Sequence, residues 1–138
     1  MSARSAEEVR IVELCKTLRL PAFRRDAGRL AVEAARQGLG HLVFLKQLLE
    51  TEYSERIERR AARRIKEAGF SQIKTLESFD FSRAAHLPEA LIRQLAEGRY
   101  IEAAEPVLCL GEPGTGKTHL AIALGVAAAQ RGHSVRFV

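Results

Sequence analysis

Apolar residues recur every three or four positions through the first half of the chain, which is the spacing of amphipathic helices. The first such stripe consists of Ile11, Leu14, Cys15 and Leu18. It predicts a helix that ends near Leu20-Pro21, because the residue before a proline is pushed out of helical space. The same spacing predicts a second helix over Ala22 to Arg36 and a third from His41 to about Ala68, each followed by glycine.

The second half of the chain breaks into shorter pieces. Residues 70–87 have no sustained period and are predicted to be a linker with aromatic anchors. A short helix from Pro88 to about Arg99 follows, since proline is tolerated in a first helical turn. Residues 105–110 (EPVLCL) are a compact apolar run bounded by turn residues and predict a buried strand. A helix from Lys117 to Arg131 and a second strand over 134–138 complete the pattern.

The order of these elements predicts a fold of class α + α/β for the 138 residues. Residues 1–69 would form a helical domain, residues 70–104 a linker with a short helix, and residues 105–138 a strand–loop–helix–strand unit. Parallel strands normally have both faces covered and neighbours on their edges. We therefore expect residues 105–138 to be only marginally stable alone.

One line along the predicted third helix changes from apolar to basic. It runs through Leu42, Leu45, Leu49, Glu52, Arg56, Arg59 and Arg63. The two preceding helices are expected to cover its apolar half, and Arg60 and Arg64 widen its basic half. Two interpretations of the basic half remain open. Arginine forks suit the phosphate oxygens of a DNA backbone, whereas ion pairs such as Glu55–Arg59 would make it a solvated face.

The net charge of +5 is unevenly distributed along the chain. Residues 1–75 contain 16 Lys and Arg against 10 Asp and Glu, which gives +6. Residues 76–138 contain 6 against 7, which gives −1. This asymmetry suggests that the N-terminal part meets polyanions and that the C-terminal part has another role.

The sequence predicts a cytoplasmic protein. No apolar run approaches the ~20 residues needed to span a bilayer, and the N-terminus lacks the apolar region of a signal peptide. Cys15 and Cys109 are isolated in apolar settings, with no CxxC motif. Both are expected to be buried reduced thiols.

The stretch GEPGTGKT at residues 111–118 fits the pattern G-x-x-x-x-G-K-[ST] of a phosphate-binding loop. Its glycines let backbone amides surround anionic oxygens, and the following helix presents its positive end to them. In this pattern Lys117 reaches the β and γ phosphates and the Thr118 hydroxyl ligates Mg²⁺. The predicted nucleotide site consists of Gly111, Glu112, Pro113, Gly114, Thr115, Gly116, Lys117 and Thr118. A dinucleotide-binding turn is excluded, because its third glycine is missing.

The residues around this loop resemble a known family, the IstB-like ATPases. The similarity runs through PVLCLGEPGTGKTHLAIALGVAAAQRGHSVRFV and includes the upstream pieces LRLPAF, FLKQLLETE, GFSQIKTLESFDF and LAEGRYI. It extends from about Leu14 to Val138. These proteins are similar to the helicase loader DnaC and the initiator DnaA within the AAA+ group. The resemblance therefore implies that residues 105–138 begin an AAA+ domain with its first βαβ (P-loop) unit and that residues 111–118 are its Walker A motif.

The resemblance also implies a function. Such proteins are helper ATPases of bacterial insertion sequences, which use ATP and Mg²⁺, self-assemble, bind target DNA and assist a transposase. Complete members continue with a Walker B acidic residue, sensor residues and an arginine finger. This chain would be the front portion of such an ATPase, able to bind ATP without hydrolysing it. The pair Phe79 and Phe81 falls where the linker packs near the nucleotide base, as an adenine contact or as a hydrophobic anchor.

Two other classes of protein fit the same residues. One is a DnaC-like replicative helicase loader, which would act with a hexameric helicase instead of a transposase. The other is a non-enzymatic DNA-binding module that interferes with assemblies of the full-length protein. Co-purifying partners separate the first alternative from a transposition helper, and nucleotide-dependent oligomerisation would argue against the second.

Overall fold

The computed structural model describes residues 4–138 and is helical throughout its ordered elements. The helices are α1 (Ala6–Thr17), α2 (Pro21–Gln37), α3 (His41–Ala68), α4 (Glu89–Leu95), α5 (Arg99–Glu102) and α6 (Lys117–Gln130). A 3₁₀ turn covers Phe81–Ala84. The predicted first, second, third and last helices are confirmed. The helix predicted over residues 88–99 instead forms the short α4 and α5, which are separated at the left-handed Gly98.

The predicted α/β part is wrong. No strand forms among residues 4–138, so the described chain is all-helical and contains no βαβ unit. Leu108 and Leu110, expected inside a buried strand, are 78% and 89% exposed. In the last segment the Phe137 N–H donates to the Ala68 carbonyl at 2.8 Å, a contact with the end of α3 and not with another extended segment. A strand exists only when a neighbour pairs with its backbone, and an apolar run cannot reveal whether that neighbour is present.

The described residues divide into two compact units inside α3, between Glu58 and Arg59. We refer to residues 4–58 as the N-terminal unit and to residues 59–138 as the C-terminal unit. The domain boundaries expected after residues 69 and 104 remain predictions. Cys15 is buried as expected, but Cys109 is exposed, and both are free thiols. Among the described helices, none has both the length and the apolar character needed to cross a bilayer.

A buried carboxylate organises the N-terminal unit. Helix α2 begins at Pro21 without a side-chain cap of its own, and the carboxylate of Glu52 supplies one from α3. Its Oε2 atom accepts hydrogen bonds from the backbone N–H groups of Ala22 at 2.8 Å and Phe23 at 3.2 Å. Glu52 is only 4% exposed. A carboxylate at a helix N-terminus both pairs the free amides and meets the positive end of the helix dipole.

Arg56 extends this contact to the turn between α1 and α2. Its Nη2 atom donates to the Arg19 carbonyl oxygen at 2.9 Å and lies 3.8 Å from Glu52 Oε1. Arg19 has a φ of +55°, which costs energy in a residue with a Cβ. The Glu52–Arg56 pair therefore joins α3 to a strained turn and to the start of α2.

The leucines of the stripe predicted along α3 do not face the core. Leu42, Leu45 and Leu49 are 81%, 45% and 53% exposed, so the preceding helices do not cover them. The buried positions of α3 are instead Leu48, Glu52 and Ala68. Glu52 is the one member of the predicted stripe that is buried, and its carboxylate caps α2.

The C-terminal unit is built around α6. The helix buries Leu120, Ile122, Ala123, Leu124, Val126, Ala128 and Ala129. Residues of the segment between α3 and α4 pack against it, and the core joins Leu76, Ile92, Leu120 and Ala123. Around that core lie Phe79, Phe81, Leu87 and Ala96. The predicted linker is therefore a packed wall of the unit, as the expected aromatic anchors suggest.

Phe70 fastens the start of this wall to the middle of α6. A Cβ built on Gly125 would lie 2.9 Å from both Cε1 and Cζ of the Phe70 ring. The ring also lies 5.9 Å from that of Phe137, centroid to centroid. Real side chains do not approach this closely, so the absence of a side chain at Gly125 is what admits Phe70.

This contact predicts that Gly125→Ala has opposite effects on stability in the presence and in the absence of the Phe70 ring. Alanine is favoured over glycine inside a helix by about 0.5–1 kcal/mol, but overpacking a close contact costs about 1–3 kcal/mol. In the unsubstituted chain we expect Gly125→Ala to lower the free energy of unfolding by about 1 kcal/mol. In the Phe70→Ala variant, where the ring is absent, we expect the same substitution to raise the free energy of unfolding above that of Phe70→Ala alone. Urea unfolding followed by far-UV circular dichroism measures both changes. Gly28→Ala is the control, since a Cβ at Gly28 in α2 meets nothing within 4 Å; equal effects at both glycines would contradict the contact.

Candidate functional site

The predicted phosphate-binding residues lie in an exposed turn that leads into α6. Residues 111–115 are exposed. Gly114 and Gly116 have φ values of +78° and +91°, which a residue with a Cβ rarely adopts. Gly116 is the N-terminal cap of α6, and no side chain accepts a hydrogen bond from the first amides of the helix. These amides and the helix dipole form a region that favours an anion.

Lys117 holds the loop from its own first turn of helix. Its Nζ atom donates to the carbonyl oxygens of Gly111 and Glu112, each at 2.5 Å. The hydroxyl of Thr115 donates to the Glu112 carbonyl oxygen at 2.7 Å. The two ends of the loop are thus joined through one ammonium group. The positive charge of Lys117 lies at the mouth of a turn whose amides precede a helix.

Thr118 is exposed in the first turn of α6 and presents a single hydroxyl oxygen. No group of three or more His, Cys, Asp or Glu suited to a metal ion occurs among residues 4–138. A Mg²⁺ ion takes six oxygen ligands and commonly keeps several waters alongside nucleotide phosphates. Thr118 could therefore contribute one ligand to a magnesium–nucleotide complex, but the described residues offer no separate metal cage.

An aromatic wall stands beside the loop. A Cβ on Gly116 would lie 3.0 Å from Cε2 of Phe79. The Phe79 ring packs edge-on to Phe81, with centroids 4.8 Å apart, and to His119, with centroids 5.0 Å apart. The guanidinium of Arg93 lies 5.4 Å from the centroid of the Phe81 ring. The structure thus places Phe79 against the loop, while contact of Phe79 or Phe81 with adenine stays a prediction.

Sequence reasoning missed His119. Its Nε2 atom lies 3.2 Å from the Thr75 carbonyl oxygen and 3.4 Å from Ser78 Oγ. The residue follows Thr118 directly, and its position on the first turn of α6 was available from the motif. Its partners were not, because they lie more than 40 positions away in a segment with no period.

The five arginines proposed for DNA contact divide into different environments. Arg56 is committed to the Arg19 carbonyl and Glu52, as described above. Arg63 Nε donates to Glu67 Oε1 at 2.7 Å, and this carboxylate raises the pKa of the Arg63 guanidinium. Arg59 also has an interaction partner. Within residues 4–138 no ion pair is recorded for Arg60 or Arg64. Both lie in the C-terminal unit, where Arg60 is exposed and Arg64 is half-buried.

A second group of cations, which the sequence did not reveal, lines one depression of the N-terminal unit. This basic depression has a volume of about 350 Å³ and is lined by Arg4, Val12, Lys16, Arg24 and Arg25. Glu55 and Asp26 pair with Arg25 at 2.5 Å and raise the pKa of its guanidinium. The other three cations have no ion pair recorded in the described part of the chain. The sequence could not reveal this group, because its members come together only through the packing of α1 on α2.

Known proteins that are similar to this chain share one family and similar names. The model of the family described as IstB-like ATP binding protein matches residues 13–138. The "Insertion sequence IS21 putative ATP-binding protein" of Pseudomonas aeruginosa is 42% identical over 109 residues, covering 79% of this chain and 41% of that protein. The "Insertion sequence IS5376 putative ATP-binding protein" of Geobacillus stearothermophilus is 36% identical over 129 residues, covering 94% and 51%.

A third relative, from Mycobacterium tuberculosis, also bears a name that refers to ATP binding and an insertion sequence. It is 39% identical over 122 residues, which cover 88% of this chain and 49% of that protein. The chain thus spans about half the length of the curated relatives it matches. The matched residues include the loop, the aromatic wall and most of the helical part. The chain belongs to the family of IstB-like ATP binding proteins.

Proposed function

We propose that this chain binds ATP through residues 111–118. The observation that carries the proposal is the arrangement of Lys117, whose ammonium bridges the Gly111 and Glu112 carbonyls directly before the uncapped start of α6. A triphosphate tail would accept hydrogen bonds from the first amides of α6 and from Lys117, which can turn from the carbonyls to phosphate oxygens. The names of the relatives, which refer to ATP binding, support the same ligand.

Magnesium belongs to the same proposal. The metal would be held by the nucleotide phosphates, by water and by the Thr118 hydroxyl, which is exposed in the first turn of α6. When bound, Mg²⁺ neutralises part of the phosphate charge. The Thr118 hydroxyl would add a metal ligand that only the magnesium complex can use, so affinity for ATP should increase with Mg²⁺.

The test is a calorimetric titration of the full chain with ATP, with and without Mg²⁺, and with inorganic tripolyphosphate. One saturable site for both ligands is expected, because the loop recognises phosphate. No heat and no change in stability with ATP would contradict the proposal. Binding of ATP without any binding of tripolyphosphate would also contradict it, since recognition would then depend on the base.

At the level of the whole protein, we propose a role as the ATP-binding helper of an insertion sequence, with DNA and a transposase as partners and with self-association. The support is the names of the relatives, which refer to insertion sequences. A helicase loader remains the second candidate at that level. Pull-down with the transposase of a matching element against a replicative helicase separates the two.

DNA contact has its own support in this chain. Arg60 and Arg64 have no recorded ion pair, and the basic depression gathers further cations on one surface of the N-terminal unit. Cations that are not held by carboxylates can release the counterions condensed on duplex DNA, and this release drives non-specific binding. Arg56 is left out of the test, because its removal would also break its hydrogen bond to the turn between α1 and α2.

We expect the double variant Arg60→Ala/Arg64→Ala to weaken duplex binding and to flatten its salt dependence. Each lost phosphate contact changes the slope of log K against log salt by about 0.9, so two contacts change it by about 1.8. Fluorescence anisotropy at several salt concentrations measures the slope. Lys16→Ala/Arg24→Ala removes the same charge from the basic depression and shows which surface holds the phosphates. Unaltered slopes in both double variants would mean that these are solvated faces.

A further inference from the structure

The segment before α4 contains a turn that is closed by its own side chains. The Thr75 N–H donates to Ser78 Oγ at 3.2 Å, and the Ser78 N–H donates to Thr75 Oγ1 at 3.3 Å. The Ser78 hydroxyl donates to the Thr75 carbonyl oxygen at 2.9 Å, and the Phe79 N–H donates to the Leu76 carbonyl oxygen at 3.2 Å. Residues 75–79 are therefore joined by their own hydrogen bonds, and we refer to them as the 75–79 turn.

Three neighbouring residues of the loop and α6 touch this turn. His119 Nε2 lies 3.2 Å from the Thr75 carbonyl oxygen. Because a carbonyl oxygen only accepts, the contact requires the proton on Nε2 of His119. The Phe79 ring lies against Gly116, where a Cβ would come within 3.0 Å, and Leu76 packs in the core with Leu120. The turn is thus held by the start of α6.

The positions of these contacts matter because Gly116 and His119 border the proposed phosphate site. Gly116 is the cap of α6 with a φ of +91°, and His119 directly follows the predicted metal ligand Thr118. A phosphate that fixes the first amides of α6 would also fix the surface on which the turn rests. Conversely, a turn that leaves this surface removes the ring that supports Gly116.

We propose that His119 is a positioning residue that docks the 75–79 turn on the phosphate loop, so that phosphate binding and docking of the turn strengthen each other. This inference rests on the proposed function and adds a coupling to it. Coupling free energies are reciprocal: the factor by which a nucleotide favours the docked turn equals the factor by which docking tightens the nucleotide. Loss of the His119 contact uncouples the turn from the loop.

The experiment compares the full chain with His119→Ala and His119→Gln. Glutamine keeps an N–H donor that can reach the Thr75 carbonyl, and alanine does not. Calorimetry with ATP and with tripolyphosphate gives affinities. Hydrogen exchange of the Ser78 and Phe79 amides, which donate within the turn, reports opening of the turn, and docking on α6 restrains that opening. His41→Ala, at an exposed histidine of the N-terminal unit, is the matched control.

Saturating ATP is expected to slow exchange at these two amides about 5- to 10-fold in the unsubstituted chain, the equivalent of one hydrogen bond. His119→Ala should lose this slowing and bind both ligands more weakly, by no more than the same factor. His119→Gln should restore most of both effects, and His41→Ala should change neither. A merely structural histidine would alter stability without altering the effect of the ligand on exchange.

Three outcomes overturn the inference. If His119→Ala binds both ligands as the unsubstituted chain does and ATP still slows exchange, the coupling is absent while the proposed function stands. If only ATP weakens and tripolyphosphate does not, the turn acts at the base end and not through the loop. If the unsubstituted chain binds neither ligand, the proposed function fails and the coupling fails with it.

Discussion

Lys117→Ala is expected to weaken ATP binding by about 2–3 kcal/mol, which is roughly 30- to 150-fold in Kd. The substitution removes the ammonium that would meet the phosphates and also the hydrogen bonds that join Gly111 and Glu112. Lys117→Arg should recover only part of the affinity, because a planar guanidinium does not fit where a compact ammonium is held by two carbonyls. Calorimetry with ATP and tripolyphosphate measures both variants.

The control for this prediction removes the same charge elsewhere in the C-terminal unit. Lys66 is exposed near the end of α3, away from residues 111–118 in sequence, and Lys66→Ala should bind ATP as the unsubstituted chain does. The helical content of Lys117→Ala should be unchanged by circular dichroism, since the hydrogen bonds of its ammonium go to loop carbonyls. An affinity equal to that of Lys66→Ala would show that the loop is a structural turn.

Glu52→Ala is expected to lower the free energy of unfolding of the N-terminal unit by about 3 kcal/mol. The change leaves the amides of Ala22 and Phe23 without an acceptor in a buried place and deprives Arg56 of its carboxylate. Hydrogen bonds to a charged group contribute about 1.5–3 kcal/mol, and removal of a helix cap costs about 0.5–2 kcal/mol. Urea unfolding followed by circular dichroism measures the loss.

Two matched variants separate capping from charge. Glu52→Gln keeps an acceptor oxygen for the α2 amides but removes the charge, so its loss should be about half that of Glu52→Ala. Glu50→Gln removes a charge at an exposed position of α3, where Glu50 pairs with Lys46 at 3.8 Å, and it should change stability by less than about 0.5 kcal/mol. If Glu52→Ala were no worse than Glu50→Gln, the buried cap would contribute nothing.

The local pattern of the sequence was sufficient for the long helices. His41–Ala68 begins and ends where the flanking glycines indicate, and Lys117–Gln130 starts at the lysine of the loop motif. Both results depend only on neighbours a few positions away. The same pattern failed for residues 105–110, whose strand required a partner backbone that no local signal can report.

The candidate site shows the same division between local and distant information. Gly116 and Lys117 were predicted from the motif, because the conformation of Gly116 and the hydrogen bonds of Lys117 depend on residues within the loop. In the sequence Glu52 stood between the apolar and the basic half of the predicted stripe, and only the packing of α3 on the start of α2 shows that it is a cap. His119 needed the 75–79 turn, which has no periodicity to announce it.

Two phenylalanines rest on two glycines of the same helix and its cap: Phe79 on Gly116 and Phe70 on Gly125. A phenylalanine ring occupies the space in which each glycine would carry a side chain, so the residue at the glycine position and the facing ring constrain each other. A lineage that gains a side chain at Gly125 must lose bulk from the facing ring of Phe70. At Gly116 a side chain meets the ring of Phe79 and also a backbone with a φ of +91°. We therefore expect the two positions of each pair to covary in an alignment of many related sequences.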